Sequence, residues 1–221
     1  MPAGNRGSFS GVPVRLTFDD GPHPTGTSAV CQVLEAHGDA KATFFVWGEQ
    51  ALEHPEIVRQ LVKTGHSVQP HCWEHRSHLN MTADEIAADI DRVLSLLADL
   101  GVPPPGLWRP PWGHMLTGVS RELARNRGLE VAGWTIDSTD YAGTTACAMY
   151  ELVTDGIAGS DANEDVLLMH DGCLEPGQFA KRTDVDQTVE LLRLLLGGGH
   201  RFAPLERGIS SNLDQQAARP R

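Results

Sequence analysis

Val14-Arg15-Leu16-Thr17-Phe18-Asp19-Asp20-Gly21-Pro22 joins a strand, a pair of carboxylates and a turn. Val14, Leu16 and Phe18 alternate with Arg15 and Thr17, which predicts a strand. Asp19 and Asp20 follow at once, and Gly21-Pro22 turns the chain away. Adjacent like charges repel, and a fold gains nothing by setting them at a strand end. A divalent cation changes that balance, because one carboxylate can bind it while the other faces the space in front. A solvated acidic turn has the same residues, so the remaining chain must decide.

Outward from this stretch, strand-like and helix-like segments alternate. Helices are predicted over 26–37, 49–63 (with Pro55 starting a second helix), 82–100, 117–127, 144–158 and 184–196. Strands are predicted over 42–47, 66–68, 107–108, 129–136, 166–169 and 201–205. Thr82 with Glu85 forms a capping box before an apolar stripe of Ile86, Ile90, Val93, Leu94 and Leu97. This order implies an α/β fold: a mainly parallel sheet with outer helices, as an open doubly wound sheet or a barrel. Asp19, Asp20, His71, Arg109, Asp137 and His170 each follow a strand-like run. In parallel α/β folds the C-terminal strand ends share one face, where catalytic groups gather.

The chain has 221 residues, enough for one sizeable core, and a formal net charge of -11. That charge disfavours nucleic acid and anionic membrane surfaces and favours neutral or cationic substrates. Cys31, Cys72, Cys147 and Cys173 are widely spaced and read as free thiols. The polar N-terminus lacks an apolar signal core, so a cytoplasmic protein is expected, or a secreted one if a signal has been removed. The oligomeric state is left open.

His71-Cys72-Trp73-Glu74-His75 contains an H-x-x-x-H pair. On a helical turn both rings would face one ion. His75 and His78 form a competing pair, and His66 lies nearby. Two histidines with an aspartate from another strand end make a three-ligand site with open positions, the arrangement of a catalytic metal.

These residues resemble the polysaccharide deacetylases, also called carbohydrate esterase family 4 or the NodB-homology domain. Thr17-Phe18-Asp19-Asp20-Gly21-Pro22, His71-x-x-x-His75, Arg109-Pro110-Pro111-Trp112, Asp137-Ser138-Thr139-Asp140-Tyr141 and Leu168-Met169-His170 match that family's five motifs in order. The resemblance implies a distorted (β/α) barrel over 13–207, with a flexible N-terminus (1–12) and a polar tail (208–221). It implies that Asp20, His71 and His75 bind a divalent metal, zinc first, with cobalt or nickel as alternatives. Asp19 becomes the general base, paired with Arg109. His170 becomes the general acid, oriented by Asp137, and Asp140 is read as structural. Trp112 contributes a backbone N–H to the oxyanion, and Trp112 and Tyr141 form the substrate wall.

Cys72 stands where the family more often has Ser or Thr. Trp112 replaces Tyr or Phe, and Tyr141 replaces Trp, so the substrate wall differs. Cys72 as a soft ligand or nucleophile is the lesser reading. His23, His78 and His114 read as surface or rim residues, and Trp73 and Trp112 as candidates for stacking on a sugar. The loop 172–184 is a substrate-entry element or a solvated connector. The function implied is deacetylation of an N-acetylated amino sugar: a chitooligosaccharide, peptidoglycan or a small glycoside. Alternatives are hydrolysis of a formamide, a cyclic amide or acetylated xylan, and a non-catalytic carbohydrate-binding domain. The latter should have lost the base, a ligand or the acid, and none is missing.

Overall fold

Strand β1 (Val14–Asp19) is the central strand of a parallel sheet. The computed structural model describes residues 13–38, 40–116, 118–160, 164–172 and 184–209. The flexible terminus predicted over 1–12, Cys173, most of the loop 172–184 and most of the tail lie outside them. The sheet order is β3 (Ser67–Cys72), β2 (Thr43–Trp47), β1, β7 (Val166–His170), β6 (Ile136–Asp137). β8 (Phe202–Ala203) pairs with the start of β1. Every pairing is parallel. A separate parallel pair joins β4 (Leu107–Trp108) to β5 (Glu130–Val131).

Helices α1 (Gly26–Ala36), α2 (Gly48–Glu53), α3 (Pro55–Lys63), α4 (Ala83–Asp99), α5 (Val119–Arg125), α6 (Ala146–Ala158) and α7 (Val185–Gly197) alternate with the strands. No described helix is long and apolar enough to cross a membrane.

The period-2 pattern of β1 sends its residues to two different buried environments. Val14, Leu16 and Phe18 join Phe44, Val46 and helix residues such as Val30, Leu34 and Leu192 in an outer core between sheet and helices. Phe45, Leu107, Trp134, Val166 and Leu168 form an inner core on the other side. Thr17 and Arg15 are buried as well. Arg15 Nη2 reaches Glu164 Oε1 at 2.7 Å, and Thr17 Oγ1 donates to the Leu167 carbonyl at 2.7 Å. A sheet with both faces covered is the expected condition of parallel strands.

The segment 129–136 is predicted as one strand, but it divides into β5 and the start of β6, which belong to different ladders. The cause is Arg109. Its Nε donates to the Ala132 carbonyl at 3.3 Å and its Nη2 to the Gly133 carbonyl at 2.7 Å, so these carbonyls serve the guanidinium, while Ala132 N still donates to the Trp108 carbonyl at 2.8 Å beside β4. Among the described residues no ladder joins β5 to β6, so hydrogen bonds do not close the barrel. β4 lies beside β3, where Gln69 Oε1 accepts from Gly106 N and Leu107 N at 3.0 and 2.9 Å.

The capping box at the start of α4 is present: Glu85 N donates to Thr82 Oγ1, and Thr82 N donates to Glu85 Oε2. Thr82→Ala is expected to lower stability by about 1 kcal/mol, read as a shift in urea midpoint at constant slope.

Candidate metal centre and active site

Asp19 ends β1, His170 ends β7, His71 is the penultimate residue of β3, and Asp137 ends β6. All therefore open onto one face. Asp19 and His170 are register partners on adjacent parallel strands, so their side chains leave the same side of the sheet. Arg109 follows β4 and is fully buried. Its Nη1 lies 2.8 Å from Asp19 Oδ1 and 2.8 Å from Thr17 Oγ1. Burial pulls the guanidinium pKa down, and Asp19 and Asp137 oppose that.

Asp20, His71 and His75 offer one ligand atom each within 4.8 Å of one another, the one such group of three among the described residues. His71 Nε2 and His75 Nε2 lie 3.3 and 3.1 Å from Asp20 Oδ1. That oxygen is buried and receives no hydrogen bond of sound geometry. His71 Nδ1 lies 2.7 Å from the Arg109 carbonyl, which can only accept, so Nδ1 carries the proton and Nε2 presents a lone pair. Burial pushes Asp20 up, but His75 and His71 outweigh it and hold the carboxyl well below its usual range. Burial pulls His71 down, but Asp20 and Asp19 carry it upward overall. An anion facing two imidazole nitrogens needs positive charge between them, and two nitrogens with one carboxylate oxygen suit a divalent cation.

The helical turn assigned to His71 and His75 is not present. His71 belongs to β3, whose Cys72 pairs with Trp47, and His75 sits in the loop beyond. The rings converge because the chain bends after the strand; their centroids are 5.2 Å apart. Trp112 meets the His75 ring edge-on at 4.3 Å, and Trp47 lies 5.4 Å from it. Cys72 is buried, burial pushes its thiol well above the ordinary value, and it is not among the ligand atoms that converge with Asp20, His71 and His75. His78 is also buried, stacked on Trp108 at 5.2 Å, and is no rim residue. Trp73 is buried with the Arg92 guanidinium 3.8 Å above its ring, so that face is taken and no sugar can stack there.

The partner of His170 is Asp140, not Asp137. His170 Nδ1 lies 2.7 Å from Asp140 Oδ1, and His170 N donates to Asp140 Oδ2 at 2.8 Å. Thr188 Oγ1 on α7 donates to the same Oδ2 at 2.9 Å. Asp137 instead accepts from Tyr141 Oη at 2.9 Å and from Thr139 N at 2.9 Å. Thr139 adopts φ 59°, in the left-handed region, and the turn Asp140–Ala142 then folds back beneath β7. Burial lowers the His170 pKa, but Asp140 overrides it and lifts it to about 10. Tyr141 meets the His170 ring edge-on at 5.5 Å.

Asp20 (φ 75°), Trp112 (φ 54°) and Thr139 (φ 59°) are the non-glycine residues with positive φ among the described residues. Each lies in a candidate site motif, where backbone strain tends to be held. Asp171 clamps the first of these turns: its Oδ1 accepts from Gly21 N at 3.2 Å, and its Oδ2 pairs with Thr27 Oγ1. A side chain at Gly21 would collide with that carboxylate.

Residues 6–132 match the family profile described as polysaccharide deacetylase. The chain belongs to the polysaccharide deacetylase family. By that membership it is classed as a carbohydrate deacetylase, a hydrolase. It is 32% identical over 189 residues to the chitooligosaccharide deacetylase of Azorhizobium caulinodans, covering 83% of this chain and 86% of that protein. It is 29% identical over 199 residues to a peptidoglycan-N-acetylglucosamine deacetylase of Bacillus cereus, covering 90% and 69%. It spans about a third of the length of other peptidoglycan deacetylases that it matches. A family 4 acetyl xylan esterase from Clostridium thermocellum, solved with a cobalt ion, superposes with a TM-score of 0.70 at 25% identity, covering 94% and 92%.

Proposed function

We propose that this polysaccharide deacetylase is a divalent-metal-dependent hydrolase that removes acetyl groups from N-acetylated amino sugars. The observation that carries this reading is the convergence of Asp20, His71 and His75 on one point, beside the register pair Asp19 and His170. Asp20, His71 and His75 would hold the cation, zinc first, with cobalt or nickel as alternatives. Once bound, it would polarise the substrate carbonyl and lower the pKa of water.

Asp19 would accept a proton from the water as its oxygen attacks the carbonyl carbon. Arg109 Nη1, 2.8 Å from Oδ1, fixes the orientation of that carboxylate. The N–H of Trp112, a residue held at a left-handed φ of 54°, would donate to the developing oxyanion. His170 would give a proton to the nitrogen as the C–N bond breaks, leaving acetate and a free amine. Asp140 holds the imidazole protonated and fixes its orientation. The formal net charge of -11 suits neutral chitooligosaccharides or small glycosides better than anionic peptidoglycan.

The test is acetate release from N-acetylchitooligosaccharides. Zinc-loaded protein is expected to release acetate, to stop after chelation and to recover on adding zinc. No release from a panel of N-acetylated glycosides at full zinc occupancy overturns the reading. Asp20→Ala and His71→Ala are expected to lose the metal by elemental analysis, and a full complement in Asp20→Ala refutes the ligand assignment.

A further inference from the structure

We propose that Asp89, on the buried side of α4, is a positioning residue that holds the turn carrying His75 in ligand geometry and so sets the affinity of the centre for its cation. The inference rests on the reading of Asp20, His71 and His75 as metal ligands. Asp89 sits within the apolar stripe of α4, between Ile86, Ile90 and Val93. A carboxylate there is costly unless it is fully hydrogen-bonded. Its bonds go to one place. Oδ1 accepts from Trp73 N at 2.8 Å and Oδ2 from Glu74 N at 2.9 Å. These are successive N–H groups of the segment that links His71 to His75.

β3 ends at Cys72, and the N–H groups beyond it have no ladder to join. A buried N–H left without a partner is costly. One carboxylate bonded to both fixes the planes of two consecutive peptides. Those peptides determine where the next side chain but one, His75, leaves the backbone. Arg92, one turn further along α4, lies over the Trp73 ring and fastens the same segment to the same helix. His71 is held independently, by the Arg109 carbonyl on its Nδ1 and by Trp108 Nε1 on its own carbonyl at 3.0 Å. The Cys72 thiol, a weak hydrogen-bonding group, is no substitute for a carboxylate. Loss of Asp89 therefore loosens the segment that sets the His75 backbone, while the separate bonds that hold His71 remain.

The experiment compares the parent, Asp89→Asn and Ile90→Ala in the full chain. Zinc affinity is measured by competition with a chromophoric chelator, geometry by the visible spectrum of the cobalt-loaded protein, and folding by circular dichroism of the metal-free form. Asp89→Asn keeps the size of the side chain but puts an amide NH2 where one acceptor stood. It is expected to weaken zinc binding about 10–100-fold and to alter the cobalt spectrum. Ile90→Ala cuts into the same helix face without touching the turn, and is expected to lower the melting temperature while zinc affinity and spectrum stay as in the parent. If Asp89→Asn does not fold, Asp89→Glu carries the test, because it displaces both oxygens by one methylene, and the same fall is expected. The proposal is overturned if the Asp89 variant binds zinc within about threefold of the parent, or if Ile90→Ala weakens binding equally. A parent that binds no zinc refutes the metal assignment itself, a separate outcome.

Discussion

Asp19→Asn is expected to lower kcat for acetate release by about two to four orders of magnitude, with the zinc content of the parent. Asn matches Asp in shape and keeps a carbonyl oxygen 2.8 Å from Arg109 Nη1, so Arg109 retains an acceptor. What disappears is a site that can take the proton of an attacking water. Breaking a buried ion pair often costs about 3–5 kcal/mol, because a charge is left alone. Here Arg109 also donates to Thr17 Oγ1 and to the carbonyls of Ala132 and Gly133, so the guanidinium stays solvated by protein. The stability loss should fall below that range, which leaves the variant folded at assay temperature. Turnover, elemental zinc and urea unfolding on the same preparation separate the three effects. A kcat within about tenfold of the parent would remove Asp19 as the base; loss of zinc with activity would make it a ligand instead.

The alternation of strands and helices was legible because hydrophobic periodicity reports burial, and burial in this fold repeats element by element. Thr82 and Glu85, Pro55 and the apolar run Thr43–Trp47 carry local signals that tertiary contacts did not override. Asp20, His71 and His75 were legible as a set because strand ends of a parallel sheet share a face. Their local geometry was not. A spacing of four residues suits a helix, but His71 stays in β3 because Cys72 pairs with Trp47, and Asp89 supplies the bend beyond it.

Asp89 did leave a trace in the sequence. It stands three residues from Ile86 and four from Val93, a carboxylate inside an apolar stripe, and a buried charge in that position calls for a partner. Asp140 left none. Asp137 and Asp140 both lie in Asp-Ser-Thr-Asp-Tyr, and Asp137 is the one at the strand end. The choice between them depends on the left-handed φ of Thr139, which β-branched residues rarely adopt and no periodicity reveals. Arg109 likewise reads as a partner for Asp19, while its hold on Ala132 and Gly133, which splits the predicted strand 129–136, is a tertiary fact.

Asp140→Asn is expected to move the basic limb of the pH–rate profile to lower pH and to depress kcat at pH 8 by about two orders of magnitude or more. In the proposed role as general acid, His170 would act only while protonated. Burial by itself pulls its pKa below 6.5, and Asp140 is the largest contribution that lifts it, to about 10. The group is therefore charged at pH 8, and its acid function is lost as pH rises through the raised value. A cation on Asp20 cancels that aspartate's smaller pull on His170, so the loaded enzyme should show its limb below about 10. The part owed to Asp140 remains, and the substitution removes it. The same sign governs stability. A histidine with a raised folded pKa stabilises fully below its unfolded value near 6.5, and that contribution fades as pH climbs towards the folded one. The variant should therefore lose stability relative to the parent at pH 6 and much less at pH 10. Asp137→Asn is the matched control. Its carboxylate bonds Tyr141 and Thr139 rather than His170, so the limb should stay in place. A limb that moves in Asp137→Asn and not in Asp140→Asn would return the orienting role to the carboxylate at the end of β6.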